Sequence, residues 1–181
     1  MADVRQTIQD FYTQAQTRDF ARTNLFRVLN MDFGDGSDVT ISEEDLVYAT
    51  TATLPAKAIA NVPVPYMGLN FNIPGTVSYP GSEAYSITFR ADESYNLYEK
   101  FQEVVNDTFN DADSTGNYFA PKASAVIDLV QLDKQLNRVS QYQLVGVSIR
   151  NLGELAYNIT EAGNEQTFTV QLAYHYYRKT A

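Results

Sequence analysis

Apolar side chains recur along this chain in two rhythms, one close to the helical repeat and one of every second residue, and each predicts its element. Val4, Ile8, Phe11, Tyr12 and Ala15 share a helical face, which predicts a short amphipathic helix from about Asp3 to Gln16. Asn24 to Phe33 reads as a strand apolar on both faces, ended by the glycine- and acid-rich loop Gly34 to Asp38. A second acidic patch, Glu43 to Asp45, precedes a strand from Leu46 to Thr53 that Leu54-Pro55 closes, so Gly34 to Asp45 reads as one exposed excursion. Pro63 and Pro65 lack backbone donors and argue against a central paired strand. Beyond them Met67, Leu69, Phe71, Ile73, Val77 and Tyr79 alternate with Gly68, Asn70, Asn72, Thr76 and Ser78, predicting a long or bent strand.

Cleaner alternation follows in Tyr85, Ile87 and Phe89 against Ser86, Thr88 and Arg90, a half-buried strand. Asp92 as N-cap and Glu93 in the first turn lead into Leu97, Tyr98, Phe101, Val104, Val105 and Phe109 at helical spacing. After the turn-rich stretch Asn110 to Gly116 and Pro121, strands are predicted at Ser124 to Leu132 and Gln141 to Arg150. In the last segment Phe168, Val170, Leu172, Tyr174 and Tyr176 alternate with Thr167, Thr169, Gln171, Ala173 and His175, a sheet with one apolar and one polar face. The expected fold is mainly β with a minor α part: an antiparallel β-sandwich or partly open barrel, one packed α-helix and a short N-terminal helix.

Length sharpens this to one domain, since 181 residues can bury a self-sufficient core. Residues 1–18 are expected to form an arm and 19–181 a single β domain. The chain has no cysteine, which excludes disulfides, thiolate metal sites and cysteine nucleophiles. Its apolar runs are shorter than a membrane span and Met1 to Asp10 lacks the features of a secretion signal, so a soluble, unprocessed protein is expected. The formal net charge of -9 argues against ordinary nucleic-acid binding, which relies on cations displacing counterions, but does not exclude DNA as cargo, since a wall with few cations suits passage better than a basic groove. The 13 Tyr and 10 Phe, with no Trp, suit half-buried sheet faces and subunit contacts.

Catalytic chemistry finds little support. His175, the only histidine, would have to anchor any triad or imidazole metal site alone, and it sits mid-strand among tyrosines, so it reads as a half-exposed strand residue. Asp32, Asp35, Asp38, Glu43, Glu44 and Asp45 could in principle gather around calcium, but their spacing matches no calcium loop and a solvated acidic loop is the better account. The nine glycines form no phosphate-binding pattern, and the acceptor tripeptides at Asn106 and Asn158 read as chance matches. Tyr174 to Arg178 could stack nucleobases, but the basic groove that tracks a nucleic-acid backbone is missing and packing explains the rings better. The expectation is a non-enzyme with no cofactor and no metal. An acidic β-sandwich of this kind also fits a carbohydrate-binding or calcium-dependent adhesion module.

Several runs carry a resemblance. Asp19-Phe20-Ala21-Arg22-Thr23-Asn24-Leu25-Phe26 resembles the opening segment of tail tube proteins from contractile-tailed phages. Thr53-Leu54-Pro55 followed by Val62-Pro63-Val64-Pro65-Tyr66-Met67 is similar to that family's Leu-Pro turn and the start of its next strand. Glu99-Lys100-Phe101 is similar to its mid-chain helix, and Gly153-Glu154-Leu155 and Gln166-Thr167-Phe168-Thr169-Val170 to its last turn and closing strand. The excursion Gly34 to Asp45 is longer than the family's turn, and the arm before Asp19 is less clearly matched. The resemblance implies a structural virion protein, assembled in the host bacterial cytoplasm, whose hexameric rings close a ring-shaped β-barrel and stack into the inner tail tube. It implies sheath, baseplate and tail terminator proteins as partners, DNA as transient cargo without specific binding, and no membrane insertion. The tube of a type VI secretion or extracellular injection device is the close alternative. Short uncharged polar faces are the expected lumen wall: Asn70, Asn72, Ser86, Thr88, Thr167, Thr169 and Gln171. Asp35, Asp38, Glu43, Glu44 and Asp45 are the expected ring-to-ring loop.

Overall fold

A computed structural model describes residues 7–18, 20–34, 39–116, 123–160 and 163–181. In chain order the elements are α1 (Ile8–Thr17), β1 (Phe26–Asp32), α2 (Glu43–Leu46), β2 (Ala49–Thr51), β3 (Ala58–Tyr66), β4 (Leu69–Ser78) and β5 (Tyr85–Arg90). There follow α3 (Asn96–Thr108), β6 (Phe109–Asn110), β7 (Thr115–Gly116), β8 (Val126–Leu132), β9 (Arg138–Val145), β10 (Ser148–Leu152), β11 (Thr167–Ala173) and β12 (Tyr176–Lys179). Pairing is antiparallel among the described strands, and it builds two four-stranded sheets ordered β1-β8-β9-β12 and β10-β11-β5-β2. β3 and β4 form a hairpin of their own, β6 and β7 a small ribbon.

The sandwich follows from alternation. Val28, Met31, Ile127, Leu129 and Leu144 of the first sheet face Ile87, Phe89, Phe168, Val170 and Leu172 of the second, all in one buried core. α3 closes one end of it, its Phe101 ring 5.2 Å from Phe89 and 5.9 Å from Phe168. Burying each such side chain stabilises the fold by about 1.5–3 kcal/mol. The predicted cap works at a distance: Tyr95 occupies the N-cap position at φ 57, while the Asp92 carboxylate accepts the Asn96 and Leu97 N–H groups at 3.2 and 3.3 Å.

Two predicted strands are each broken in two. Gln141 to Arg150 splits at Gly146 (φ 72), the chain leaving the first sheet in β9 and entering the second in β10. The closing strand splits at Tyr174 and His175, passing from β11 back to β12 in the first sheet. Apolar alternation runs through both corners because both inner faces need it, so periodicity alone hides the bend. The corners touch: the His175 N–H donates to the Val145 carbonyl at 3.0 Å, and a Cβ on Gly146 would lie 2.1 Å from His175 Cδ2.

Other differences have local causes. The strand expected from Leu46 begins instead as α2, because Ser42 and Asp45 form a capping box, and only Ala49–Thr51 pairs. β1, expected to be apolar on both faces, buries Val28 and Met31 and sends Arg27 and Asn30 outward. Gly34, Ile41 and Leu46 are buried, so the described part of the expected excursion is not wholly exposed; residues 35–38, Asp35 and Asp38 among them, lie outside the described residues. α1 starts where Thr7 and Asp10 form a second capping box, buries none of its residues, and touches Phe20 through Phe11 at 5.9 Å; Asp3 to Gln6 lie outside the described residues.

Candidate functional site

The alternation that turns Ile87, Phe89, Phe168, Val170 and Leu172 inward turns Ser86, Thr88, Thr167, Thr169 and Gln171 outward. Register makes these one surface. Thr169 lies opposite Thr88, Gln171 opposite Ser86 and Thr167 opposite Arg90, and the Thr88 and Thr169 hydroxyls meet at 3.1 Å. β10 places Asn151 against Gln171, β2 places Thr51 against Thr88, and the Thr50 hydroxyl donates to the Thr88 carbonyl at 3.1 Å. Charges at its margins are paired: Arg90 with Glu165 at 2.7 Å and Arg150 with Glu83 at 3.2 Å. The outer face of the first sheet differs, carrying Asp128, bonded by Gln143 at 3.1 Å, whose own oxygen takes the Arg178 guanidinium at 2.7 Å. Five of the expected wall residues are thus gathered on one hydroxyl- and amide-covered sheet face.

Asn70 and Asn72 stand elsewhere, on the β3–β4 hairpin. Its tip, Met67-Gly68, has φ 49 and 82, positive at both central residues as a two-residue I′ turn requires. Such a turn closes on a hydrogen-bonded pair, here Tyr66 and Leu69, and pairs then alternate down the ladder. Val64 with Phe71 and Val62 with Ile73 exchange hydrogen bonds and share one face with Tyr66 and Leu69. Pro65 with Asn70, Pro63 with Asn72 and Asn61 with Pro74 share the other, their backbone nitrogens turned away from the partner strand. Pro63 and Pro65 are therefore tolerated in a paired strand because β3 is bonded on one side only. Gly75 sits where the register slips, and a Cβ there would lie 2.6 Å from Val62 Cγ2.

From Ile59 to Ser78 every residue of this hairpin is exposed, and between Lys57 and Glu83 the sequence has no charged residue. Its root is firm: the Tyr85 hydroxyl donates to the Thr53 carbonyl at 2.8 Å, and Tyr79 packs edge-on against Tyr174 and Tyr177. Burial pushes the Tyr85 phenol well above its usual range, so it stays a hydrogen-bond donor. Val62, Val64 and Tyr66 entered the sequence reading only through the family resemblance, because the prolines beside them argued against a strand on periodicity. The charge-free run and the strict alternation from Asn61 to Tyr66 were the signals that could have found them.

The acidic segment divides. Glu43 and Glu44 are exposed on α2, with Glu43 3.7 Å from Arg27. Asp45 is committed inward: its Oδ2 accepts Lys100 Nζ at 2.6 Å, the Ser42 N–H at 2.9 Å and the Ser42 hydroxyl at 2.8 Å. Burial works to raise its pKa, but the Lys100 ammonium and the Ser42 donors outweigh it and hold the carboxyl below its ordinary value. Asp32 caps its own turn, accepting the Gly34 N–H at 2.7 Å. Among the described residues no three carboxylate or imidazole groups converge as metal ligands would. His175 lies over Gly146 at the sheet corner, and Arg178 is bonded to Gln143, which gives both a structural place.

The whole chain shares its fold with chains of contractile injection assemblies. It superposes on a chain of the anti-feeding prophage (AFP) baseplate at a TM-score of 0.61 and 12% identity, over 90% of this chain and 97% of that one. A chain of the AFP tube-terminating cap gives 0.59 and 12% over 99% of both. A chain of the sheath–tube complex of the extracellular contractile injection system PVC, in its extended state, gives 0.53 and 10% over 98% of this chain and 99% of that one. No family model and no curated sequence matches the chain.

Proposed function

We propose that this chain is a structural, non-enzymatic subunit of a contractile tail, whose copies close into hexameric rings that stack as the inner tube and conduct phage DNA during contraction. The observation that carries this reading is the outer face of the β10-β11-β5-β2 sheet. Ser86, Thr88, Thr167, Thr169 and Gln171 form a continuous surface of short uncharged polar groups in a chain of net charge -9. Such a wall hydrates well and, with Arg90 and Arg150 at its margins paired to Glu165 and Glu83, offers phosphates little to bind, which is what passage of DNA demands. Likeness to injection-assembly chains over nearly the full length of both supports the same role. Each four-stranded sheet also has two open edges, an aggregation hazard that closing a ring against identical neighbours removes.

In this reading Asn70 and Asn72 continue the wall on the polar face of the hairpin, and Glu43 and Glu44 mark the ring-to-ring side of the segment from 34 to 45. Sheath, baseplate and terminator proteins are its partners, the virion tail its location. Electron microscopy of purified protein, alone and with a nucleating baseplate, is expected to show tubes; isolated globules under both conditions would sink the proposal. A Thr169→Lys substitution is expected to leave the fold intact and impair genome ejection, by placing a cation in the DNA path. The AFP and PVC likeness favours a second reading, the tube of an extracellular injection device. Purified particles decide between the two: nuclease-protected DNA supports a phage tail, protein cargo without DNA the device.

A further inference from the structure

Two arginines on the outer face of the first sheet are held differently from the cations that carry ion pairs. Arg27, Arg90, Lys100 and Arg150 each take a carboxylate, from Glu43, Glu165, Asp45 and Glu83. Arg138 and Arg178 take neutral amides instead. Arg138 Nη1 donates to Gln141 Oε1 at 2.8 Å, and Arg178 Nε and Nη2 donate to Gln143 Oε1 at 3.1 and 2.7 Å. A further residue orients the second holder: Asp128, 9% exposed, accepts Gln143 Nε2 at 3.1 Å and so turns the amide oxygen toward Arg178. An amide oxygen positions a guanidinium without neutralising it. Each arginine therefore keeps its full charge and most of its N–H donors, in a chain with 22 Asp and Glu from which a carboxylate partner could have come.

We infer that this face docks an acidic segment of another protein, a helix carrying carboxylates one turn apart. Gln141 and Gln143 lie two residues apart on one face of β9, which sets the two guanidinium groups on the order of 7 Å from each other. Carboxylates at i and i+4 of a helix are separated by a rise of about 6 Å. Two acidic side chains of one helix thus reach both arginines at once, each able to accept a pair of N–H groups. Arg138 and Arg178 are exposed, and pairing at the sheet edges would leave this face uncovered, as it lies across the sandwich from Thr88 and Thr169. Charge selects the occupant. Duplex DNA, with a charge every ~1.7 Å of its axis, needs a longer track of cations than two arginines beside Asp128 supply. A second copy would bring with it the remaining acids of a chain of net charge -9.

Fluorescence anisotropy with a labelled alanine-based helical peptide bearing Glu at i and i+4 tests this, beside the same peptide with Gln at those positions and a short DNA duplex. The Glu peptide is expected to bind, less tightly as salt rises, and the Gln peptide and the duplex at least about tenfold more weakly. Replacing both arginines, Arg138→Gln with Arg178→Gln, should weaken binding of the Glu peptide about tenfold, and Gln141→Glu, which neutralises Arg138 in place, about threefold. All variants should keep the wild-type melting temperature, since the substituted side chains lie outside the core. Failure of the Glu peptide to bind would overturn the inference, as would equal binding of the Gln peptide, unchanged binding by the double variant, or preference for the duplex. Self-association of the wild type at low salt that the double variant lacks would overturn it too, by showing that the acids of a second copy fill the face. The tube reading is untouched by any of these outcomes, because it is tested by the formation of tubes.

Discussion

At the scale of single residues, two small groups hold geometry that larger elements depend on. Gly146 has a positive φ and no room for a Cβ beneath His175, so Gly146→Ala meets both penalties at once. The backbone alone costs about 1–2 kcal/mol for an L-residue there, and displacing the adjoining corner adds to it. A loss of ~2–4 kcal/mol is expected, in the range of severe point mutations, read as a lowered midpoint in urea. His175→Ala should recover part of that loss by opening the space. Asp45 makes the opposite kind of contribution, electrostatic rather than steric. Its pKa is depressed in the fold below the ordinary 3.8, so its stabilisation is complete well above that value and is lost as pH falls through the lower, folded-state value. Asp45→Asn is therefore expected to cost ~1–2 kcal/mol at pH 7, where a cap and a charged hydrogen bond are both weakened. The difference from wild type should shrink in melting curves taken below pH 3.8; a gap constant with pH would show that Lys100 does not act on a carboxylate.

Elements differ in what they give the fold, and a pair of phenylalanines measures it. Phe101 on α3 is fully buried between Phe89 and Phe168, whereas Phe71 on β4 is 51% exposed. Phe101→Ala should cost about 3–5 kcal/mol and Phe71→Ala within about 0.5 kcal/mol of nothing, by chemical denaturation of the unassembled protein. The same contrast explains what periodicity could read. β5 and α3 were legible because each keeps one apolar face against one core, so Tyr85 to Phe89 and Leu97 to Val104 carry an uninterrupted rhythm. The corners at Gly146 and at Tyr174-His175 were not, because a strand that changes sheets stays apolar on its inner side throughout. β3 was hidden for a different reason: a proline penalty applies to a strand bonded on both sides, and nothing local says that Pro63 and Pro65 face an unbonded edge. Alternation alone assigned the five residues expected on the wall from β5 and β11 to the outward faces on which the structure places them. That Thr88 meets Thr169, rather than another strand, is a matter of long-range register that sequence spacing does not contain.

For the whole molecule, charge and apolar surface oppose each other in assembly, and their balance is measurable. Each copy brings a net charge of -9, and the proposed ring would crowd several such charges together around a narrow axis. An apolar contact changes little in strength with ionic strength, while repulsion between copies does: the screening length falls from ~30 Å at 0.01 M salt to ~8 Å at 0.15 M. Adding salt should therefore lower the concentration at which rings first form, the reverse of a complex held by opposite charges, which salt dissociates. Light scattering during a salt titration reads this directly. Sulfate should act more strongly than chloride at equal ionic strength, because it also strengthens apolar burial. Assembly that weakens with salt would mean that ion pairs, not apolar surface, join the copies. The proposed inner wall of Thr88 and Thr169 would stand apart from that outcome, since it rests on the register of β5 against β11 and not on how the copies are joined.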